Sequence, residues 1–387
     1  MSDPQPTFTP TRRGLLTGAI GGAIGLAVGA GGVAAIGSRD AAPAPAETTA
    51  PPRADGVYQA GIHTPSTPQK FGRLFVVDTD AAASAPTWLA ALGARILAIA
   101  RGEDIADILP DGPGDLTVTV GIGPRVVSAV DPTLPGAEAL PDFVGDDAIP
   151  AAAKGGDVLL AAYSSDPTVL GAVLGQLQQL VPGGALRWEQ LVFRGTGVGM
   201  KARNPLGFQD GVVVPKGDEA LRENVWIGSG PLAGGTICVI RRLRLDTDRF
   251  RSLEVPEREK VIGRTLADGS PLSGGKPDAQ VDLRAKTPEG EFIVPAASHA
   301  RAAHPSFTGS TLMLRRSYSF ENDRPGSAPE QGLAFISFQK ELRTFVVTQQ
   351  RLDDLDALMK FATPTASATF LILPGFSAGK PLGAELA

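Results

Sequence analysis

At 387 residues the chain is long for one small domain and suggests about two. Its 43% apolar and 20% charged residues describe an ordinary globular protein with a sizeable core. The formal charge of -5 and the lack of a long basic block argue against nucleic acid as a partner, and a single cysteine, Cys238, excludes an internal disulfide.

The first segment reads as an address. Thr11-Arg12-Arg13-Gly14-Leu15-Leu16 precedes a Gly/Ala-rich apolar run from Gly14 to Gly37. Paired arginines before a Gly-softened apolar stretch are the pattern of a twin-arginine export signal. The run is long enough to span a membrane as an anchor. Its glycines lower its hydrophobicity, however, and Ala44-Pro45-Ala46 offers a small-residue cleavage site, so cleaved export is expected. The Pro/Ala-rich stretch over 41–55 cannot bury a core and reads as a linker.

From Arg73 the pattern becomes regular. Strands are expected over Arg73–Thr79, Asp115–Gly123, Asp157–Tyr163 and Leu186–Phe193. Helices are expected over Pro86–Arg101, where Trp88, Leu89, Leu92, Ile96 and Ile99 recur at helical spacing, and over Pro167–Leu180, started by Asp166-Pro167. That order is β-α-β-β-α-β, the split unit of a ferredoxin-like fold. The second half repeats it, with strands over Thr236–Leu245, Thr311–Phe320, Leu333–Gln339 and Thr369–Leu373. Its helices are expected over Val255–Arg264 and within Leu342–Phe361. The fold class is therefore α+β with two ferredoxin-like units. The expected division is a signal over 1–46, a linker and N-terminal arm over 47–70, an N-terminal unit over 71–200 and a C-terminal unit over 201–387. A long insertion between Arg264 and Thr311 interrupts the second unit, and insertions of that length are usually functional.

Few residues can carry chemistry. The histidines are His63, His299 and His304. They lack the spacing and the partners of a multi-ligand metal site. Gly121-Ile122-Gly123 follows a strand, but Val126 stands where a dinucleotide loop needs its third glycine. Gly195-Thr196-Gly197-Val198-Gly199 reads as a hinge between the halves. Cys238 sits in an apolar run and reads as a small buried hydrophobe. Asp210, in Gly207-Phe208-Gln209-Asp210-Gly211, reads on its own as an Asp-Gly turn. Arg315 and Arg316 interrupt an apolar strand pattern, and neighbours on a strand point to opposite faces. One of them faces inward and needs an anion or a polar cavity there.

Asn204 to Gly211, Ser298-His299-Ala300-Arg301 and Leu314-Arg315-Arg316 together resemble the dye-decolourising peroxidases, haem enzymes with a Gly-x-x-Asp-Gly signature. The resemblance extends along the chain. Tyr58-Gln59-Ala60-Gly61-Ile62, Gly156-Asp157-Val158-Leu159-Leu160 and Gly332-Leu333-Ala334-Phe335-Ile336-Ser337-Phe338-Gln339 are similar to stretches of the exported deferrochelatase/peroxidase branch. The resemblance implies two ferredoxin-like units with one haem b in the C-terminal one. It implies His299 as the iron ligand, Asp210 as the distal acid and Arg315 as the distal arginine. It further implies Leu333 and Phe335 as distal walls and Arg301 facing a haem propionate. Ala300, His304 and Ser306 depart from residues common in that family. The partners implied are hydrogen peroxide, a one-electron donor such as a dye or phenolic, and the twin-arginine export machinery. The location implied is periplasmic, cell-envelope or extracellular. The alternative is a haem-handling protein of iron uptake that releases iron from haem, acting with iron-uptake partners. Bulky donors cannot reach a buried iron, so Trp188, Trp226, Tyr163 and Tyr318 are candidate electron relays.

Overall fold

A computed structural model describes residues 51–323 and 329–387. The signal expected over 1–46, with Arg12, Arg13 and the cleavage site at Ala46, lies outside the described residues.

In chain order the first half holds β1 (Phe71–Asp78), α1 (Ala85–Ala100), β2 (Thr117–Ile122), α2 (Pro124–Val130), β3 (Val158–Ser164), α3 (Thr168–Gln178) and β4 (Ala185–Phe193). A two-stranded ribbon of β5 (Ala202–Arg203) and β6 (Gln209–Asp210) and a helix, α4 (Gly217–Asn224), follow. The second half holds β7 (Thr236–Leu245), α5 (Thr247–Arg251), α6 (Val255–Ile262), α7 (His299–Ala302), α8 (Pro305–Thr308), β8 (Leu314–Arg315), β9 (Tyr318–Asn322), β10 (Glu330–Gln339), α9 (Leu342–Leu355) and β11 (Ala362–Ile372). The apolar stripe of α1 is buried as its spacing requires, through Trp88, Leu89, Leu92, Ile96 and Ile99. At the start of α3, Asp166 accepts from the Thr168 backbone N–H at 2.9 Å. The last strand begins earlier than the apolar pattern suggested, at Ala362, because its first four residues are only half-buried and carry no apolar signal.

Both halves have the ferredoxin-like strand order. In the first it is β2-β3-β1-β4, and in the second β11-β7-β10 followed by β9 and β8 along one edge of β10. The strand expected over Thr311–Phe320 is realised as two pieces, β8 and β9, separated by Arg316 and Ser317. The halves join at two short seams. At one, Leu371 and Ile372 of β11 pair with Ile122 and Gly121 of β2; at the other, Phe193 of β4 pairs with Ser319 of β9. With β10 paired to β7 the sheet closes into a barrel-like ring, which leaves few open edges.

Alternation then sorts every strand between the inside of the ring and its outer face. On β10, Ala334, Ile336 and Phe338 enter the interior cluster, with Cys238 and Ile240 of β7 and Ala368 and Phe370 of β11. Burial pushes the Cys238 thiol well above its ordinary range, so it is an inert part of that core. Leu314 is likewise interior, Arg315 is not, and Arg316 is interior again. Arg316 is 0% exposed. Its guanidinium donates to the carbonyls of Ile62 at 3.3 Å and Pro65 at 3.1 Å and to Gln69 Oε1 at 2.8 Å. The interior arginine is thus held by the N-terminal arm through Nη1 and Nη2, while its Nε has no hydrogen-bond partner among the described residues.

The neighbouring arginines should separate in a stability measurement. Replacing Arg316 with Met strands three buried acceptors, at about 1–3 kcal/mol each, so a loss of about 3 kcal/mol or more is expected. Arg315→Leu should change stability by less than about 1 kcal/mol. Urea unfolding of the two cofactor-free variants beside the unsubstituted protein checks this.

Candidate active site

The cavity lies on the outer face of the second half-sheet, beneath α9 and the insertion. Leu243 and Leu245 of β7, Leu333 and Phe335 of β10 and Phe345 and Leu352 of α9 form its apolar walls. Every residue lining it falls between Asn204 and Ala362. Asp210, His299 and Arg315, which are far apart in the chain, all line it.

His299 is the first residue of α7. Its Nδ1 lies 2.6 Å from Oδ2 of Asp356, whose side chain is 0% exposed. The other carboxylate oxygen of Asp356 accepts from the Leu358 backbone N–H at 2.8 Å and caps a short 3-10 turn over Ala357–Phe361. With both oxygens pinned, the carboxylate fixes the ring, accepts a hydrogen bond from Nδ1–H and leaves Nε2 as the nitrogen available to a ligand. Burial alone would push the imidazolium down from 6.5; the charge of Asp356 and its hydrogen bond outweigh burial and the repulsion from Arg315, so the net direction is up. The ring is 38% open, but to the cavity walls.

Asp210 ends the β5–β6 ribbon, where Ala202 pairs with Asp210 and Arg203 with Gln209. Gly211 has φ +72, and a Cβ there would meet the Met200 carbonyl at 2.1 Å. Only glycine fits, and the turn it permits lets its N–H donate to Oδ1 of Asp210 at 2.6 Å. The Asp-Gly turn and the functional reading of Asp210 are thus the same feature. Arg315 donates to the Val213 carbonyl at 3.1 Å and lies 3.4 and 3.5 Å from Oδ1 of Asp210. Those last contacts are longer than a tight charged pair, near 2.7–2.9 Å, so both groups remain directed at the cavity.

Arg301 goes elsewhere. It donates to the Leu283 carbonyl at 2.6 Å and packs over the Phe292 ring at 4.0 Å, outside the cavity lining. The structure therefore does not bring Arg301 to where a propionate would sit. Arg264 lines the cavity instead. Its guanidinium donates to the carbonyls of Gly269, Pro277 and Ala279 and forms no ion pair among the described residues. Burial foremost, then repulsion from Arg315, disfavours its charge, which is the environment an incoming anion would relieve. Arg241, also in the lining, is already paired with Asp146 at 2.5 Å. The four candidate relays Tyr163, Trp188, Trp226 and Tyr318 are all buried in the barrel interior, where they pack as core.

Sequence reasoning missed Asp356 and Arg264. Asp356 stands 57 residues from His299, and its one local signal is that of a helix-capping acid. Arg264 follows an amphipathic helix and reads as an ordinary cation at its end.

These residues fit a haem: one oriented imidazole, apolar walls, a buried cation without a counter-ion among the described residues, and an acid and a second cation in the same cavity. The comparisons agree. Residues 59–194 match the family model of the Dyp-type peroxidase N-terminal domain, and residues 201–377 that of the C-terminal domain. A dye-decolorizing peroxidase of Thermobifida fusca is 35% identical over 308 residues, 74% of this chain and 70% of the relative. A deferrochelatase of Escherichia coli is 28% identical over 284 residues, 68% of this chain and 66% of the relative. Among solved structures, DtpA from Streptomyces lividans, in an oxyferrous/water mixed complex, superposes with a TM-score of 0.80 at 31% identity. That match covers 87% of this chain and 98% of DtpA. A DyP-type peroxidase of Cellulomonas bogoriensis gives 0.78 at 31% identity, covering 86% of this chain and 97% of the neighbour.

Asp356→Asn should lower the His299 titration in the cofactor-free protein, because burial and Arg315 would then act without their main opponent. With the folded value raised, the charged ring contributes stability that is full below 6.5 and lost as pH rises through the folded value. Asp356→Asn should remove that contribution, which NMR titration of the ring and unfolding at pH 5.5 and 8.5 would show.

Proposed function

The chain belongs to the Dyp-type peroxidase family, a haem-dependent enzyme family, and from that premise we propose that it is an exported haem b peroxidase in which His299 ligates the iron. The supporting observation is that an imidazole pinned through Nδ1, an acid and an arginine share one cavity. When bound, the haem supplies the iron that binds peroxide and takes up its oxidising equivalents.

The chain's own residues do the rest. Asp356 holds the His299 ring in the ligating orientation. Arg264, in place of Arg301, receives a propionate. Asp210 accepts a proton from the inner peroxide oxygen and returns it to the outer one. Arg315, a guanidinium with no acceptor of its own, stabilises the negative charge that develops on the departing oxygen. The electron donor is a dye, a phenolic or another one-electron reductant, delivered at the protein surface. The alternative, iron release from haem, draws on the relatives called deferrochelatases; the paired acid and cation favour the peroxidase, because a carrier needs neither.

Two experiments test this reading. His299→Ala should lose most bound haem and its Soret band. Asp210→Asn and Arg315→Leu should keep haem and slow the peroxide reaction by about 10²-fold or more in stopped-flow absorbance. An unchanged Soret band in the first, or less than tenfold slowing in both of the others, refutes the assignments. Export is tested separately: replacing Arg12 and Arg13 with lysines should retain the protein in the cytoplasm on fractionation, with the mature chain otherwise starting at Glu47.

A further inference from the structure

A second, far smaller cavity adjoins the first across Asn204, Asp210, Arg315 and Leu333, which line both. Its volume is about 10 Å³ against about 210 Å³. That is room for a single water molecule, which needs two to four polar partners. Two of its lining side chains carry buried polar atoms without a hydrogen-bond partner, Arg194 Nη1 and Ser317 Oγ.

Arg194 is held by Nη2, which donates to the Met200 carbonyl at 2.9 Å, and its guanidinium lies 5.5 Å over the Tyr318 ring. Nη1 is left without a partner, in a side chain that lines the small cavity. Ser317 lies between β8 and β9, alongside β10 in an unbroken register, with Arg316 N–H donating to the Ile336 carbonyl at 2.9 Å, and its hydroxyl is not spent on a neighbouring strand. On the Asp210 carboxylate, the Gly211 N–H and Arg315 both meet Oδ1. Oδ2 is left for a donor of another kind.

We propose that the small cavity is a water site behind the distal acid, and that Arg194 and Ser317 are its positioning residues. The water accepts from Arg194 Nη1, exchanges a hydrogen bond with Ser317 Oγ and donates to the Asp210 carboxylate. Its three partners are the usual number for a buried water. Gly211 holds one oxygen of the carboxylate, with Arg315 in longer contact with the same oxygen, and the water fixes its rotation from the side away from the main cavity. This inference rests on Asp210 as the acid that moves the peroxide proton.

A crystal structure of the haem-loaded protein should show one ordered water within hydrogen-bond reach of Arg194, Ser317 and Asp210. Ser317→Ala should lose or displace it and slow the peroxide reaction by about fivefold to tenfold, with haem content and melting temperature unchanged. Ser317→Thr, which keeps the hydroxyl, should restore the rate to within about twofold, a rescue that a merely structural role would not give. Arg194→Met, the second variant, should also lose the water. No water at the site, or Ser317→Ala as fast as the unsubstituted protein while Asp210→Asn is slow, overturns the proposal and leaves the distal acid standing. If Asp210→Asn is itself as fast as the unsubstituted protein, the acid assignment falls and the positioning role falls with it.

Discussion

The structure depends on one geometric constraint: a strand has two faces, and a closed ring assigns one to its interior and the other to its outside. β10 sends Ala334, Ile336 and Phe338 into the barrel and Leu333 and Phe335 to the cavity. β8 does the same with Leu314 and Arg315. One wall therefore serves two environments, a packed core and a reaction chamber, and a slip of one residue would exchange them. Two adjacent arginines with unrelated duties are the clearest result. Arg316 ties the N-terminal arm into the barrel, and Arg315 faces the cavity.

The chamber itself is governed by where charge is compensated and where it is not. Arg241 has its aspartate and Arg316 its carbonyls, so both are structural. Arg264 has only backbone carbonyls at the edge of a cavity, so its charge is available. His299 draws a buried carboxylate to one ring nitrogen, which settles what the other can do. Asp210 and Arg315 are held by the backbone at Gly211 and Val213 more firmly than by each other. That arrangement leaves both groups free to respond to a third molecule.

Much of this was legible in the sequence, and the parts that were not share a cause. Both ferredoxin-like units follow from periodicity, and β7 runs over the same residues, Thr236–Leu245, as its apolar pattern. Asp210, His299 and Arg315, which the fold gathers in one cavity, each sit in a short motif whose glycines or neighbours are themselves constrained. Arg301 lies outside the cavity lining because two residues along a four-residue helix turn the side chain to another face, towards Phe292. Asp356 and Arg264 carry no local mark, since what makes them matter is a contact made across the fold. The split of Thr311–Phe320 into β8 and β9 was hidden for a related reason: the residues at the break are placed by tertiary partners.

The seam between β11 and β2 has a consequence for the order of events in synthesis. β11 is the last strand of the chain, yet it lies between β7 and β2 and joins the two halves of the ring. Residues just before and at its start, Leu358, Met359 and Ala362, line the cavity, and Asp356, which orients His299, is made only shortly before them. A nascent chain that stops short of this point has its first ferredoxin-like unit but no ring and no finished chamber. Contacts of such long sequence separation form slowly, because the chain entropy must be spent before they reward it. The chamber is thus complete only once nearly all of the polypeptide has left the ribosome.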